Sequence, residues 1–433
     1  MTRFSSSAIV LATLCATTLA AMDPACERTL KVLNQLDLDS IKHCKTFQGI
    51  ITIDKMGTAP MLTMEGVENL KGDLLLSNNA ELGGFSAPNL KTVEGQVKIE
   101  NHTILKKVEF PQLTEVNSMT YSVLPALEVI QFPAGLTKVG SMKIEDTKAP
   151  KIDGFKPENI GTFVLAHNNY MQTFDFSSVK QATDMHVTGN NPEMVFNAPS
   201  LTDMQGGTFL NLGQLQMPVL TTVRSDFSLH DNQFTMLNLD SLLNIGGTFT
   251  VVNNNKLTEM SFKKLDLISG ALSVGNNSQL ISIEGFPSLK EIHGTLDLAG
   301  NFESYKLPAL QDVRGGMRVQ TTSSKIACSE LERNLKGGNI VKGTAWSCSA
   351  SMKEEQITPT VGQTPSDNTD TKITLGRESS SPLSPLTPLK DEKNGNVPQG
   401  KERESISFAG GASTLSTSSL GLAAVASLAY LLV

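Results

Sequence analysis

Residues 220–254, LTTVRSDFSLHDNQFTMLNLDSLLNIGGTFTVVNN, contain two copies of the pattern that decides the fold. In each copy a leading leucine is followed by two apolar residues at alternate positions. An asparagine stands five residues after the first of those two. Alternation with period two is typical of a short β-strand. The leading leucines are Leu220 and Leu242, the alternating pairs are Phe227/Leu229 and Phe249/Val251, and the asparagines are Asn232 and Asn254.

The pattern recurs along residues 67–320 with spacings of 19 to 24 residues, which is the length class of leucine-rich repeats. The return side of each unit carries Pro, Gly and Thr, so we expect a second strand or an extended turn there rather than a helix. The sequence therefore predicts an all-β-dominated fold, a right-handed β-solenoid of about 12 leucine-rich-type coils. The leading positions are Val67, Leu90, Leu113, Leu136, Pro157, Val179, Leu201, Leu220, Leu242, Leu265, Leu289 and Leu310.

The recurring asparagine predicts a ladder of hydrogen bonds along the stack. A turn asparagine can bond neighbouring backbone groups with both ends of its amide, each bond contributing about 1 kcal/mol. The predicted ladder consists of Asn79, Asn168, Asn190, Asn232, Asn254, Asn277 and Asn301.

Composition excludes two broad classes of protein. The chain has 433 residues, a formal net charge of -7, one Trp and four Tyr. A nucleic-acid-binding protein would need a basic face and usually stacking aromatic residues, so we predict no nucleic-acid partner. No apolar run reaches the ~18–20 residues of a spanning helix, which argues against a polytopic membrane protein.

Both ends of the chain carry targeting signals. Residues 1–20 have the charged start, short apolar body and small-residue exit of a secretory signal peptide, for which a buried N-terminal helix is the alternative. At the other end, small residues around Gly410, a polar spacer and an apolar tail predict attachment of a glycosylphosphatidylinositol (GPI) anchor over residues 410–433. Gly410 is the predicted attachment residue, with Gly411 or Ala409 as neighbours and a tail-anchored helix as the alternative. We therefore expect an extracellular, lipid-tethered protein.

Four cysteines remain once the signal peptide is removed, namely Cys26, Cys44, Cys328 and Cys348. An even number in a secreted chain predicts two disulfides, and four cysteines allow three pairings. Pairing between sequence neighbours is favoured over bridges that cross the whole repeat. Zinc is the alternative, although neither pair has the close spacing of a structural zinc site.

The predicted domains follow from these boundaries. Residues 21–66 form an N-terminal cap with an amphipathic stretch, Leu30 to Ile41, and a strand, Ile50 to Ile53. Residues 321–350 form a C-terminal cap with Leu331 and Leu335 on a short helix and Trp346 as a plug. Residues 351–409 are rich in Ser, Thr and Pro and predict a disordered, O-glycosylated stalk.

Few residues in the sequence match a catalytic or metal-binding motif, and we predict no catalytic residue, cofactor or metal ion. The strongest candidate is a charged pair of strands that places Lys98, Glu100, Lys143 and Glu145 on the outer face. Two carboxylates two coils apart lie about 10 Å from each other, within the range of an inverting glycosidase. The neighbouring lysines favour ion pairs instead, so these residues form a possible carbohydrate- or protein-binding face or an ordinary solvated one. Asn101 and Asn276 are predicted N-glycosylation sites.

Further motifs begin and end the repeat. The opening motif is Cys26…Leu36-x-Leu38…Cys44-x-x-Phe47-x-Gly49-x-Ile51-x-Ile53. The closing motif is Leu307-Pro308-Ala309-Leu310-x-x-Val313-x-Gly315-Gly316, followed by Cys328…Lys342-Gly343…Cys348. The repeat between them is similar to the receptor L domain of growth-factor receptors. Together these motifs resemble the fungal GPI-anchored cell-wall proteins of the Ecm/Sps2 family, over about residues 20–350 and the anchor signal.

This resemblance implies a non-enzymatic glycoprotein that supports cell-wall organisation and integrity. Its implied location is the outer face of the plasma membrane or the wall itself. The implied partners are the outer leaflet, through the anchor, and wall polysaccharide or mannoprotein. Two alternatives stay open, a receptor-like module that binds carbohydrate or protein, and a solenoid enzyme that acts on polysaccharide.

Overall fold

The computed structural model describes residues 23–56 and 59–358, which form a β-solenoid of about 13 turns. The predicted signal peptide, the anchor signal with Gly410, and the stalk beyond residue 358 lie outside the described residues. Every strand pairing in the described part is parallel, as expected for stacked coils of one repeating unit. The solenoid predicted from the repeat is confirmed.

Among the described residues, the front sheet contains 22 strands and runs from the first coil to the last. Its strands are Leu30–Val32, Thr46–Gln48, Ile51–Asp54, Asn69–Lys71, Leu74–Ser77, Thr92–Glu100, Glu115–Leu124, Lys138–Thr147, Asn159–Ala166, Gln181–Thr188, Asp203–Leu210, Thr222–Val223, Phe227–His230, Asn244–Ile245, Phe249–Val252, Leu267–Ile268, Leu272–Gly275, Glu291–Ile292, Leu296–Gly300, Asp312–Val313, Met317–Thr321 and Trp346–Ser349.

The rear of the solenoid carries shorter sheets, each of two or three strands. The rear strands are Met61–Thr63, Gly84–Ser86 and Lys107–Glu109; Ile130–Leu136 and Ile152–Phe155; Thr173–Asp175, Val195–Asn197 and Gln214–Gln216; Met236–Asn238 and Glu259–Ser261; and Ser282–Ile283 and Ser304–Tyr305. The helical segments are the α-helices Gln35–Asp39 and Cys328–Leu331, the π-helix Glu332–Lys336 and the 3-10 turns Pro24–Cys26 and Glu354–Gln356.

The coils change shape part-way along the stack. From residue 92 to residue 210 each coil has one continuous front strand, whereas from residue 222 onward that strand is split by a bend. Glycines stack at this bend, where Gly270 faces Gly247 and Gly294 faces Gly270. A Cβ atom added to Gly270 would lie 2.4 Å from the carbonyl carbon of Gly247. Only glycine therefore permits the close approach of neighbouring coils at this bend.

Apolar side chains fill the space between the front sheet and the rear strands. The predicted alternating pairs are buried throughout the repeat, so the face assigned to each of them is confirmed. Phenylalanines form a continuous contact series in the middle coils, with ring centroids 4.9 Å apart for Phe262 and Phe286 and 5.4 Å apart for Phe227 and Phe249. Such contacts add about 0.5–1.5 kcal/mol each beyond the burial of area.

The N-terminal cap differs in detail from its prediction. Instead of one amphipathic stretch, a strand, Leu30–Val32, precedes a helix, Gln35–Asp39, that begins with a capping box at Asn34. Leu33 and Leu36 were expected to face the core, but they are 53% and 75% exposed. The reason is that the chain leaves the strand before Leu33, so the predicted periodicity does not continue through it.

The C-terminal cap buries Leu331 and Leu335, as predicted. Trp346 begins the last front strand, which pairs with Met317–Thr321, and its side chain is half-buried. Its side chain also packs against the hydrophobic core at this end of the stack, in agreement with the predicted plug. Because both caps add strands to the front sheet, the solenoid has about 13 turns instead of the predicted 12 or so.

Candidate functional site

The ladder position lies where each coil leaves the front sheet and turns towards the rear. In the described coils the asparagine amide bonds to the preceding coil with both of its ends. For Asn254, the Nδ2 atom donates to the Leu229 carbonyl at 3.1 Å, and the Oδ1 atom accepts from the backbone N–H of Asn232 at 2.9 Å. The same two bonds recur at Asn79, Asn168, Asn190, Asn232 and Asn277.

The ladder is interrupted rather than continuous. His102, Leu124 and Thr147 occupy the ladder position between Asn79 and Asn168. Leu212 stands between Asn190 and Asn232. The described coils therefore contain one isolated rung, Asn79, one pair, Asn168 and Asn190, and one run of three, Asn232, Asn254 and Asn277.

Asn301 is not a full rung. It is half-buried, its Nδ2 atom donates to the carbonyl of Ser278, and its Oδ1 atom has no partner among the described residues. The prediction of a rung at this residue is wrong because strand Leu296–Gly300 continues through Gly300, whose φ is 158°, whereas the residue before each full rung has φ between 52° and 62°.

A second column, which the sequence reasoning missed, directly precedes the ladder position. Its residues have left-handed backbone conformations, with φ between 47° and 63° at the non-glycine positions. Asn and Asp tolerate this region best among non-glycine residues, so Asn-Asn, Asp-Asn and Gly-Asn doublets were the available signal. The column contains Lys55, Asn78, Asn101, Val123, Asp146, His167, Gly189, Asn211, Asp231, Asn253 and Asn276.

Both predicted N-glycosylation sites belong to this left-handed column. Asn101 and Asn276 are exposed, and each donates from its Nδ2 atom to the column residue of the preceding coil, Asn78 at 3.3 Å and Asn253 at 2.8 Å. They therefore lie on the same edge of the solenoid. Their modification stays a prediction.

The four charged residues predicted on the outer face lie on two coils of the front sheet with one coil between them. Glu100 and Glu145 both align with Ser122, one on each side, so they are two coils apart as expected. Each carboxylate has its own lysine, since Lys98 lies 2.8 Å from Glu100 and Lys143 lies 2.7 Å from Glu145. We call these four residues with Ser122 the charged face.

Glu145 has the richer set of partners. The Ser122 hydroxyl donates to it at 2.9 Å and His167 lies at 3.7 Å. Partial burial acts to raise the pKa of Glu145, but the hydrogen bonds from Lys143 and Ser122 outweigh it and lower the pKa below its ordinary value. A carboxyl with a lowered pKa is ionised at neutral pH, which suits ion pairing and does not suit a general acid.

A small cavity of about 230 Å³ opens beside the charged face. Lys98 and Glu100 line it together with Asp54, Ser77 and Asn78. The hydrogen bond from Asn78 lowers the pKa of Asp54, so this carboxylate also stays ionised. The cavity can hold polar groups of a ligand, although its size admits only part of a larger molecule.

Both predicted disulfides are present, Cys26–Cys44 and Cys328–Cys348. His43 lies close to the first pair, with its Nε2 atom 3.7 Å from the Cys26 sulfur and 3.0 Å from an Asp23 oxygen. Since the sulfur atoms are bonded to each other, they are not available as zinc ligands. The described residues contain no helix long and apolar enough to cross a membrane.

Comparison with known proteins gives relatives over most of the chain. Sporulation-specific protein 2 of Saccharomyces cerevisiae is 25% identical over 316 residues, 72% of this chain and 62% of the relative. Cell wall protein ecm33 of Schizosaccharomyces pombe is 27% identical over 317 residues, 73% of this chain and 74% of the relative. The resemblance to the Ecm/Sps2 family is confirmed.

A further relative aligns over the largest share of both chains among those described. It is a cell surface GPI-anchored protein of Arthroderma benhamiae, 26% identical over 363 residues, 84% of this chain and 90% of the relative. The alignment with sporulation-specific protein 2 covers less than two thirds of that relative's own length. No protein-family model and no solved structure matches the chain.

Proposed function

We propose that this protein is a GPI-anchored surface protein of the fungal cell wall that supports wall organisation without catalysing a reaction. The observation that carries the proposal is the extent of the match, which includes 84% of this chain and 90% of a relative named as a GPI-anchored surface protein. The relative from Schizosaccharomyces pombe is named as a cell wall protein. The sequence signals at residues 1–20 and 410–433 support the same location.

The charged face supports a non-catalytic role. A glycosidase needs one carboxyl that keeps its proton at working pH, usually because burial raises its pKa. Glu145 has the opposite arrangement, because its pKa is lowered, and Glu100 is paired with Lys98. A surface of paired charges on a regular sheet stays hydrated and can contact polar components of the wall.

Deletion of the gene in its own fungus tests the wall role. We expect the deletion strain to be hypersensitive to a chitin-binding dye and to lysis by glucanase, and the full gene to restore growth. A gene lacking residues 410–433 should fail to restore it, because the product would not be anchored. A deletion strain indistinguishable from its parent would contradict the proposal.

Catalysis is tested separately with the double variant Glu100→Gln/Glu145→Gln. Glutamine keeps the shape of each side chain and removes its charge, so a catalytic pair would lose its activity. We expect this variant to restore wall integrity as well as the unchanged gene does. Failure to do so by a variant with an unchanged melting temperature, together with release of reducing sugar from wall polysaccharide by the unchanged protein only, would show an enzyme instead.

A further inference from the structure

The rear of the solenoid is open between two neighbouring coils. Strand Gln214–Gln216 pairs with the coil before it, and strand Met236–Asn238 pairs with the coil after it, but no ladder joins the two strands. Backbone hydrogen bonds between these coils stop at Gln233 N–H to Leu212 carbonyl, 2.7 Å, and resume at Leu243 N–H to Thr221 carbonyl, 2.9 Å.

The opening coincides with a change in chain length between neighbouring coils. The repeat from Leu201 to Leu220 is 19 residues long, whereas the next repeat has 22. The same coil is where the front strand changes from continuous to split.

A cleft of about 710 Å³ lies at this opening, which we call the rear cleft. Among the described residues, five amide side chains line it and no ionisable side chain does. The amides belong to Asn197, Gln214, Gln216, Gln233 and Asn238. The volume is in the range of sites that hold small-molecule ligands.

The glutamines on the shorter coil are exposed and held in place. The Nε2 atom of Gln216 donates to the Oε1 atom of Gln214 at 3.1 Å. This bond orients both amides, while the Nε2 atom of Gln214 and the Oε1 atom of Gln216 have no other partner in the described part of the chain. One donor and one acceptor therefore stay available side by side.

The wall of the cleft also offers apolar surface. Pro199 and Pro218 line it, and Met236, on the facing coil, is 53% exposed. Flat apolar patches between amide groups match a molecule that has C–H faces and hydroxyl edges. A hydroxyl both donates and accepts, as an amide does, so the two kinds of group are complementary.

We propose that the rear cleft binds a neutral oligosaccharide, an inference that rests on the proposed wall function and names the kind of molecule the protein contacts. A charged ligand would find no counter-charge, because no ionisable side chain lines the cleft. A purely apolar ligand would cover the Nε2 atom of Gln214 and the Oε1 atom of Gln216 without offering them partners, at a cost of about 1–3 kcal/mol for each unsatisfied group. An extended peptide could pair with the open strand edges, but it would not require the five amide side chains.

Binding is tested by calorimetry with the full-length chain in detergent and three uncharged probes, a β-linked glucose hexamer, a mannose hexamer and an N-acetylglucosamine hexamer. We expect at least one to bind, and the double variant Gln214→Ala/Gln216→Ala to weaken its affinity at least tenfold. The matched control is Gln131→Ala/Gln172→Ala, which removes two exposed glutamines of the rear outside the cleft and should leave the affinity unchanged.

A second variant keeps the test decisive. Met236→Trp fills the cleft from the facing coil and should also weaken binding at least tenfold without lowering the melting temperature. Absence of binding to all three sugars would overturn the inference, and so would sugar binding that is equal in every variant. Binding of an uncharged hexapeptide of alternating Thr and Val in place of any sugar would overturn it in favour of strand addition.

The wall assay separates this inference from the proposed function. Full restoration of wall integrity by Gln214→Ala/Gln216→Ala, with sugar binding lost, would overturn a role of the cleft in the wall and leave the wall function intact. Sugar binding by a protein whose deletion has no wall phenotype would support the cleft and contradict the proposed function.

Discussion

The Nδ2 atom of Asn254 donates to the Oδ1 atom of Asn277 at 3.1 Å, and the backbone N–H of Asn254 donates to the same oxygen at 2.8 Å. Both residues are buried, so the backbone of the preceding coil is hydrogen-bonded by each amide where an exposed backbone would be hydrogen-bonded by water. Loss of a rung should therefore lower the free energy of unfolding.

Asn254→Ala should lower the free energy of unfolding by about 2–4 kcal/mol, because it leaves the N–H of Asn232 and the Leu229 carbonyl buried without the bonds that Asn254 makes to them. Asn301→Ala is the matched control, since Asn301 occupies the equivalent sequence position but is only half-buried, and it should cost about 1 kcal/mol or less. Urea unfolding followed by circular dichroism measures both. Equal losses would show that the ladder geometry does not determine the cost.

His102 should make the fold sensitive to acid. It occupies a ladder position, its Nε2 atom lies 3.1 Å from Asn79 Nδ2, and burial lowers its pKa from 6.5 to about 4, against smaller opposing effects of Glu100. The unfolded chain takes up a proton near pH 6.5 and the folded chain only near pH 4. Stability contributed by neutral His102 is therefore present above pH 6.5 and is lost as the pH falls towards 4, by roughly 3 kcal/mol in total.

The variant His102→Asn removes that proton uptake and supplies the side chain found at the other rungs. We expect the urea midpoint of this variant to fall less than that of the unchanged protein between neutral pH and pH 4. The Asn101 glycosylation motif is preserved, since Thr103 is untouched. An identical pH dependence of both proteins would assign the acid sensitivity to carboxylates.

Val123 is a strained member of the left-handed column. Its φ is 55°, a region that a β-branched residue adopts only at a cost of about 1 kcal/mol or more. Val123→Asn should therefore raise stability by about 1 kcal/mol. Val129→Asn, at another exposed valine outside the left-handed region, should change it by about 0.5 kcal/mol or less. A destabilised Val123→Asn protein would mean that the side chain contributes more than the strain costs.

The two disulfides should protect different ends of the solenoid. Each closes a loop of similar length, with sequence separations of 18 and 20, and is worth roughly 3 kcal/mol. Cys26→Ser/Cys44→Ser should speed hydrogen exchange in strands Leu30–Val32 and Ile51–Asp54 and leave Met317–Thr321 unchanged. Cys328→Ser/Cys348→Ser is the converse control. Uniform loss of protection along the chain would show that the stack unfolds as one unit rather than from its ends.

The coil architecture could be predicted from the sequence because one physical signal repeats in every unit. Alternation at Phe227/Leu229 and Phe249/Val251 fixes which side chains are buried, and the asparagine spacing places Asn232 and Asn254 in one column. The charged face followed from the same register. These features depend on local pattern, which a single repeat already contains.

Other features depend on how neighbouring coils fit. Asn277 and Asn301 occupy the same position in the pattern, yet only Asn277 is buried. The residue before Asn277 is Asn276 with φ 52°, whereas the residue before Asn301 is Gly300 with φ 158°. Whether a front strand is continuous or bent is not visible in the alternation, because Phe163/Leu165 on a continuous strand and Phe249/Val251 on a split one show the same pattern. The rear cleft had a visible signal in the 19-residue spacing after Leu201, but its chemistry required the positions of residues on two coils.

The shared rung geometry has a consequence for how such a chain can vary in length. Asn232 and Asn277 make the same kinds of bond to the coil before them. Excision of residues 233–254, one whole coil, would bring Asn277 onto the coil that ends at Asn232 with every bonding group in the same place. A gene encoding this solenoid could therefore lose or duplicate single coils and still specify a closed, hydrogen-bonded stack, so that relatives can differ in reach without differing in architecture.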